Sequence, residues 1–174
     1  MKSDIDKNLM PLSIRRLDLI KDLPLLYEWL KFEYVHKDNP AEFKFESLVD
    51  LYRSIADSSF AESCMLWLGD ERPVMQVDIC EGIMDEIYPF YDAKPGDYAI
   101  RLQFPPQRDI QLIENALNIV LQYCFTEKKA KTLLAPIYTK DVFQKSLFVK
   151  LGFSCYSKNL YKKIYSLYML SQVK

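Results

Sequence analysis

The sequence predicts one α/β (α+β) domain in which strands and helices alternate along the chain. Hydrophobic residues make up 49% and charged residues 27% of the 174 residues, which is ordinary for a folded domain with a single core. Alternating and helically spaced apolar segments follow in the order β, α, α, β, β, β, α, β, α, β, β. The chain contains no internal repeat, low-complexity tract or linker. We therefore expect residues 1–174 to form one domain, with residues 1–11 as a loose lead-in.

The first half of the chain predicts a strand, two helices and a hairpin. The predicted elements are the strand Leu12–Asp18, the helices Asp22–Phe32 and Glu46–Asp57, and a hairpin of Cys64–Leu68 and Val74–Cys80. Asp22 stands where it can cap the first helix. Residues 33–44 form a polar connection that contains the breaker Asn39–Pro40.

The second half is organised around one strand and the helix that follows it. A long irregular segment, residues 81–97, precedes the strand Tyr98–Phe104, and Pro105–Pro106 then break the chain before a helix from about Asp109 to Phe125. A strand that feeds a helix through a short loop points backbone N–H groups and the positive end of the helix dipole into a cleft, which suits an anionic cofactor. The remaining predicted elements are the strand Thr132–Ile137, the helix Val142–Leu151 and the strands Phe153–Ser157 and Ile164–Leu170. Asp141 is the predicted cap of that helix, and Gly152 is predicted to follow it in a left-handed conformation.

Composition and charge exclude several classes of function. The net charge is −1 and the basic residues are spread out, so no global field attracts nucleic acid or an acidic membrane. No apolar run approaches the ~20 residues that span a bilayer, and the N-terminal residues MKSDIDKNLMPL lack the apolar core of a signal peptide. We therefore expect a cytoplasmic protein with neither a nucleic-acid nor a membrane partner.

The cysteines and the histidine argue against a metal site. The four cysteines form no CxxC pair and lie in apolar or strand-like surroundings, so we expect buried free thiols in a reducing compartment. They are Cys64, Cys80, Cys124 and Cys155. Because the chain has a single histidine, a metal site of the Cys/His type is not expected.

Four segments together touch most of the chain: RRLDLIKDLPLLYEWL, PVMQVDICEGIMDEIYPFYDAKPGDYAIRLQF, SLFVKLGF and KKIYSLYML. They resemble the GNAT superfamily of acyl-CoA N-acyltransferases, and most specifically its siderophore-biosynthesis branch. The resemblance implies a mixed, mostly antiparallel central sheet of about 6–7 strands with about four flanking helices. It also implies acetyl-CoA or another acyl-CoA as co-substrate, and an amine or hydroxylamine of a small molecule as acceptor. In the family, a base removes a proton, the nitrogen attacks the thioester, and an acid protonates the leaving thiolate.

The resemblance places the co-substrate along the fourth strand and the loop after it. In the family, the backbone of that strand aligns the pantetheine arm, and the loop and helix N-terminus hold the pyrophosphate. The predicted cofactor contacts are therefore Leu102, Gln103, Phe104, Arg108, Gln111 and Ile113.

The phosphate loop of the family, Arg/Gln-x-x-Gly-x-Gly or Ala, has no glycines here. Read from Arg108, its glycine positions fall on Gln111 and Ile113, and the register from Gln107 also lacks glycine. Cβ atoms crowd the approach of a phosphate to the backbone, and Asp109 adds a negative charge at the helix N-terminus. Two interpretations follow. In the first, Arg108 contacts a phosphate. In the second, Arg108 is a solvated charge and Asp109 caps the helix.

The catalytic groups of the family are matched by different residue types. The strand histidine of the siderophore branch corresponds to Arg101, which stays protonated and cannot act as a base. It either holds a substrate carboxylate or pairs with Asp78 or Glu81 on the neighbouring strand. Asp78 matches a family glutamate in the third strand, and Glu81 follows it closely. Each is a candidate base or orienter of the amine, with a solvent-facing strand carboxylate as the alternative.

The proton donor and the acceptor contacts are less well matched. The tyrosine acid that many GNAT enzymes carry before the LGF turn is Phe148 here, and Tyr138, Tyr91 and Tyr156 are the available substitutes. His36 lies in the connection that borders the acceptor cleft in this fold, and is otherwise a surface residue. The predicted substrate contacts are Arg101, His36 and Tyr91.

Three functions follow from the sequence. The first is an N-acyltransferase that moves an acetyl or other acyl group from acyl-CoA to a small-molecule amine or hydroxylamine. The second is a catalytically inactive GNAT-fold binding or regulatory protein, which the missing glycines, histidine and tyrosine favour. The third is a partner protein that dimerises through exposed aromatic residues. The first is preferred because positioning and a water chain can suffice for transfer, and the expected state is a monomer or homodimer.

Overall fold

The computed structural model describes residues 11–35, 44–160 and 165–172. In these ranges the strands are β1 (Leu12–Arg16), β2 (Ala61–Leu68), β3 (Arg72–Glu81), β4 (Asp97–Gln103), β5 (Thr132–Tyr138), β6 (Ser154–Leu160) and β7 (Tyr165–Ser171). The helices are α1 (Leu23–Val35), α2 (Phe45–Asp57), α3 (Ile110–Thr126) and α4 (Val142–Lys150), with a short 3-10 turn at Gly82–Met84. The predicted order of strands and helices is confirmed.

All the described strands join one sheet in the order β1-β2-β3-β4-β5-β7-β6. Neighbouring strands run antiparallel, apart from the parallel pair β4 and β5, which α3 connects. A parallel pair needs a crossover connection, and a helix is its usual form. The prediction of a mixed, mostly antiparallel sheet with four flanking helices is therefore confirmed.

The two faces of the sheet carry different helices. Successive side chains of a strand point to opposite faces, so Val77 and Ile100 pack with α3 in the main core, whereas Met65 packs with Leu26 of α1 and Tyr52 of α2. The residues that alternate with the main-core positions of β3 and β4 consequently lie on the α1 and α2 face. That face carries the polar side chains described below.

The predicted signals at the ends of α3 and α4 are confirmed, whereas the carboxylate of Asp22, the predicted cap of α1, accepts instead from Arg15 and from the N–H of Asp18. The carboxylates of Asp109 and Asp141 accept hydrogen bonds from the N–H groups of Leu112 and Gln144, at 3.1 Å and 2.9 Å, and so cap α3 and α4. Gly152 follows α4 with a φ of 92°, a conformation that glycine adopts without steric cost.

The prediction of four buried thiols is wrong for two of the cysteines. All four are free, and Cys64 and Cys124 are buried, but Cys80 is partly exposed and Cys155 is exposed. Cys155 lies on β6, the strand at one edge of the sheet. Burial raises the pKa of the Cys64 and Cys124 thiols to about 12, which leaves them protonated and unreactive at neutral pH. No helix in the described part of the chain is long and apolar enough to cross a membrane.

Candidate active site

Strands β4 and β5 separate partway along their length. Among the described residues their parallel pairing joins Asp97–Ala99 to Thr132–Leu134 and goes no further, although β4 continues to Gln103 and β5 to Tyr138. On its other edge β4 stays paired with β3 as far as Gln103. The edge of β4 that faces β5 therefore has backbone N–H and C=O groups without a strand partner. An extended chain that contains amide groups can pair with such an edge.

The predicted cofactor residues of β4 differ in the direction of their side chains. Leu102 and Phe104 are buried in the main core, while Gln103 is partly exposed on the other face. The Phe104 ring meets Phe143 of α4 edge to face at 5.5 Å between centroids. The guanidinium of Arg108 lies over both rings, at 5.3 Å and 4.9 Å. Arg108 is thus placed on an aromatic pair beside the mouth of the gap.

The N-terminus of α3 is partly satisfied by the chain itself. The carboxylate of Asp109 accepts from the N–H of Leu112, and its backbone carbonyl accepts from the N–H of Ile113 at 2.9 Å. The Ile113 side chain is buried in the core. The predicted contact of Ile113 with a phosphate is therefore corrected, because neither its N–H nor its side chain is available. Arg72 approaches the Asp109 carboxylate to 3.6 Å.

The loop before α3 forms only a small cavity. The cavity has a volume of about 20 Å³, the size of one water molecule, and Pro105, Gln107 and Asp109 are among its lining residues. Pro105 and Pro106 have no N–H to offer a phosphate. Gln111 is exposed and its amide donates to Asn115 at 3.3 Å. A pyrophosphate at this loop would therefore depend on Arg108 and on few backbone donors.

Arg101 pairs with the segment that follows β3. Its guanidinium donates two hydrogen bonds to the buried carboxylate of Asp85, at 2.6 Å and 2.8 Å, and one to Glu86 at 3.0 Å. Burial opposes the charge of Arg101, but the bonds to Asp85 and the charges of Asp85 and Glu86 outweigh it and raise the pKa of Arg101. The predicted pairing with Asp78 or Glu81 is wrong, because the turn at Gly82–Met84 folds Asp85 back over β4. Asp78 is the register partner of Arg101 but not its hydrogen-bond partner.

Asp78 lies in a polar network on the α1 and α2 face. Burial raises the pKa of its carboxyl to about 6, although hydrogen bonds from neighbouring side chains act in the opposite direction. The Gln76 amide donates to it at 2.6 Å and the Tyr52 hydroxyl at 3.3 Å. The same amide donates to Ser63 at 2.7 Å, and the side-chain oxygen of Gln76 is buried without a donor among the described residues. The network therefore combines a readily protonated carboxylate with an unfilled acceptor.

The sequence matches one family over most of its length. Residues 18–156 match the family model of the acetyltransferase (GNAT) domain. The chain belongs to the GNAT acetyltransferase family. It is therefore a transferase domain of that family, and the gap between β4 and β5 lies in a GNAT fold. No curated protein matches the sequence significantly.

Solved structures share the fold of this GNAT domain at low sequence identity. An uncharacterized protein from Bacillus halodurans has 21% identity and a TM-score of 0.79, with 92% of this chain and 84% of that chain covered. The aminoglycoside acetyltransferase AAC(6')-Ib in complex with coenzyme A has 13% identity and a TM-score of 0.77, covering 93% and 95% of the chains. The Campylobacter jejuni N-acetyltransferase PseH in complex with acetyl coenzyme A has 15% identity and a TM-score of 0.67, covering 94% and 100%.

The remaining predicted site residues are not all brought together. Asp78 and Glu81 lie an odd number of residues apart on β3, so their side chains point to opposite faces, and Glu81 is exposed where the strand ends. The hydroxyl of Tyr91 donates to Asp97 at 3.3 Å, at the N-terminal end of β4. His36 lies outside the described residues.

The candidates for the proton donor are in aromatic contacts. Phe148 is buried and its ring lies 4.7 Å from that of Phe153, so the family's tyrosine position is part of the core here. Tyr156 meets Tyr91 edge to face at 5.3 Å, and Tyr138 meets Tyr165 at 5.9 Å. None of the three tyrosines touches the Asp78 network in the contacts described above.

The structure adds residues that the sequence reading did not select. Gln76 and Tyr52 hold Asp78, and Asp85 holds Arg101. The sequence could have predicted the role of Gln76, because a residue two positions before Asp78 in the same strand lies on the same face of the sheet as Asp78. The sequence could not have predicted the role of Asp85, because its approach to Arg101 depends on the path of an irregular segment. The described residues contain no group of three or more His, Cys, Asp or Glu that could hold a metal.

Proposed function

We propose that this GNAT domain transfers an acetyl or other acyl group from acyl-CoA to an amine or hydroxylamine of a small molecule, with Asp78 as the general base. The observation that supports it most is the position and chemistry of Asp78. Its register partner Arg101 lies two residues past Ala99, where the pairing of β4 with β5 ends. A carboxylate with a pKa of about 6 suits proton transfer near neutral pH.

Acyl-CoA fits one part of its expected site better than the other. Two structures of the same fold hold coenzyme A or acetyl coenzyme A, and the unpaired edge of β4 is suited to the amides of a pantetheine arm. The N-terminus of α3 suits a diphosphate poorly, because Asp109 caps it, which leaves Arg108 as the phosphate contact. When bound, acyl-CoA supplies the thioester carbonyl that the acceptor nitrogen attacks.

Three side chains of the α1 and α2 face divide the work on the acceptor. Asp78 takes a proton from the nitrogen, and it is in its carboxylate form above a pH of about 6. Gln76 is fully buried, so it acts on the acceptor only through the carboxylate that it holds. The Tyr52 hydroxyl and the Gln76 amide hold the carboxylate in place. The leaving thiolate takes its proton from water, since Phe148 has none to give.

The charges near the base favour a cationic acceptor. Asp78, Asp85 and Glu86 carry three carboxylates against the single guanidinium of Arg101. An excess of negative charge in a cleft raises the local concentration of an ammonium compound. A protonated amine is therefore the expected form of the acceptor on arrival, and Asp78 is placed to deprotonate it.

An acyl-transfer assay with a panel of small amines and hydroxylamines tests the proposal. The wild type is expected to release CoA from acetyl-CoA with at least one member, and kcat/KM should rise with pH through about 6 as Asp78 loses its proton. The variant Asp78→Asn should lower kcat by about 10²–10⁴-fold. The control Asp70→Asn changes an exposed turn residue and should keep the wild-type rate. An Asp78→Asn enzyme with an unchanged rate would refute the role of this carboxylate.

A binding protein without catalysis is the second candidate, because the α3 N-terminus is capped by Asp109 and its loop carries two prolines. This candidate predicts that acyl-CoA is not turned over with any acceptor of the panel. Measurable transfer that Asp78→Asn abolishes would rule it out.

A further inference from the structure

A cavity of about 200 Å³ lies at the end of the sheet that is opposite to the mouth of the β4–β5 gap. It is bounded by the end of β1, the C-terminal turn of α2 and the starts of β2 and β4. Its polar lining includes Arg16, Tyr52, Glu62, Glu81, Tyr98 and Lys128. Drug-sized ligands occupy pockets of about 300–1,000 Å³, so this volume suits a smaller metabolite, of the size of an amino acid.

The buried carboxylate of Glu62 is incompletely satisfied. Glu62 is 6% exposed, and its Oε1 accepts hydrogen bonds from the Tyr123 hydroxyl and the Lys128 ammonium, both at 2.9 Å. No donor among the described residues lies within hydrogen-bond distance of its Oε2. The guanidinium of Arg16 is 3.6 Å from that oxygen, which is close enough for an ion pair but too far for a hydrogen bond. A buried carboxylate oxygen without a donor is costly, so a ligand that supplies one gains affinity.

The cavity lining carries two charges of each sign. Arg16 and Lys128 place two positive charges beside the carboxylate of Glu62, and Glu81 is the second carboxylate of the lining, so a ligand that joins an anionic group to a hydrogen-bond donor suits both signs. Arg16 has 80% of its side chain exposed, so its guanidinium can turn toward a ligand at little cost. A carboxylate is a good partner for a guanidinium, because the two can form paired hydrogen bonds.

We propose that this cavity is a binding site for a small carboxylic acid that carries an N–H or O–H donor on the carbon next to the carboxylate, as in an α-amino or α-hydroxy acid. The carboxylate of the ligand pairs with Arg16 and Lys128, and its ammonium or hydroxyl donates to Oε2 of Glu62. Ser58, Ser59 and Ser63 also line the cavity, but the Ser58 hydroxyl bonds to the backbone of Ala61 and the Ser63 hydroxyl accepts from Gln76.

This site lies outside the gap in which acyl-CoA is proposed to bind, although it shares Tyr52 and Ser63 with the Asp78 network. Asp97–Ala99 of β4 pair with β5 on one edge, and Tyr98–Gln103 pair with β3 on the other. The sheet is therefore continuous between the cavity and the gap. The inference does not depend on the proposed acyl transfer, and it is tested on the protein without acyl-CoA.

Isothermal titration of the full chain with matched small molecules tests the site. The probes are L-alanine and L-lactate, which carry both groups, propionate, which lacks the donor, and L-alaninamide, which lacks the carboxylate. We expect L-alanine or L-lactate to bind at least about tenfold more tightly than propionate and L-alaninamide. Absence of binding by both L-alanine and L-lactate at about 10 mM, which corresponds to a very weak complex, would overturn the proposal.

Two variants and one control locate the binding. Glu62→Gln and Arg16→Met should each weaken the binding of the preferred probe by about tenfold or more. Arg16 is mostly exposed, so Arg16→Met tests the site even if Glu62→Gln fails to fold. Arg53→Met removes an exposed arginine of α2 outside the cavity and should leave binding unchanged. Equal affinity in wild type and Arg16→Met, or displacement of the probe by CoA, would overturn the proposal.

Discussion

At the scale of single residues, Asp78 shows how burial changes the chemistry of a carboxyl. Gln76, Tyr52 and Ser63 surround it on the α1 and α2 face. Their hydrogen bonds favour the charged form, but the loss of water around the group outweighs them and raises its pKa to about 6. A carboxyl in such a place is costly to ionise, and this cost is typical of functional sites.

The raised pKa of Asp78 predicts a pH-dependent gain of stability in Asp78→Asn. The folded-state pKa of about 6 exceeds the unfolded value of about 3.9, so the wild type loses stability as the pH rises from about 4 through about 6. At pH 7 the variant should be more stable by roughly 1–3 kcal/mol, and at pH 3 by almost nothing. Urea unfolding at both pH values measures the difference. An equal difference at the two pH values would contradict the raised pKa.

At the scale of elements, Arg101 of β4 forms ion pairs with Asp85 and Glu86 of the long segment between β3 and β4. Asp85 has a nearly buried side chain, and Arg101 of β4 supplies two of its hydrogen bonds. The segment also packs Ile87 into a small cluster with Ala99. The pair of Arg101 and Asp85 therefore fixes an irregular loop to the strand that borders the gap.

Breaking this pair from one side should be strongly destabilising. Arg101→Met leaves the Asp85 carboxylate buried without its guanidinium, and a loss of about 3–5 kcal/mol is expected. Adding Asp85→Asn should recover part of that loss, because the uncompensated charge is removed. Urea unfolding measures all three proteins, with the exposed Arg53→Met as control, expected within about 0.5 kcal/mol of wild type. A double variant no more stable than Arg101→Met would contradict a role for the buried charge.

The cap of α3 would affect the binding of a diphosphate near the gap between β4 and β5. Asp109 stabilises the helix start but places a negative charge where a diphosphate would approach. Asparagine caps a helix as well as aspartate does, so Asp109→Asn removes the charge and keeps the cap.

Asp109→Asn should therefore bind acetyl-CoA about two- to fivefold more tightly than wild type, with little change in stability. Isothermal titration measures the affinity, and urea unfolding checks the helix cap. Asp57→Asn, which changes an exposed residue at the end of α2, is the control and should leave the affinity unchanged. Weaker binding by Asp109→Asn would show that the aspartate contributes to the site rather than opposing it.

At the scale of the whole molecule, the separation of β4 and β5 divides the sheet without dividing the core. The main core runs from β1 across to α4, and β5 stays paired with β7 over its whole length. An extended ligand that bridges the gap would replace the missing ladder between β4 and β5. Such a ligand binds only the folded state and so stabilises it.

Acetyl-CoA should consequently raise the melting temperature in a concentration-dependent way. At about 100 times its Kd the gain is about 2.7 kcal/mol, or about 5–10 °C for a chain of this size. ADP shares the nucleotide and diphosphate but lacks the pantetheine arm, so it should give a smaller shift at the same concentration. Scanning calorimetry measures both, and equal shifts would contradict binding along β4.

The sequence alone determined the features that depend on neighbouring residues. The order of elements, the caps Asp109 and Asp141 and the left-handed Gly152 were predicted because helix ends and hydrophobic periodicity act over a few residues. Asp78 was also identified from the sequence as a candidate base, and its catalytic role stays a prediction.

Only the tertiary structure decided which distant groups meet. It gave Arg101 the partner Asp85 instead of Asp78, and it showed that β2 begins at Ala61, so that Glu62 is buried within a strand. It also showed that β4 and β5 part after Ala99. These outcomes depend on strand register and on the path of an irregular segment, which are fixed by contacts between residues far apart in the chain. The local pattern therefore specified the GNAT fold, and long-range packing specified the chemistry of its cleft.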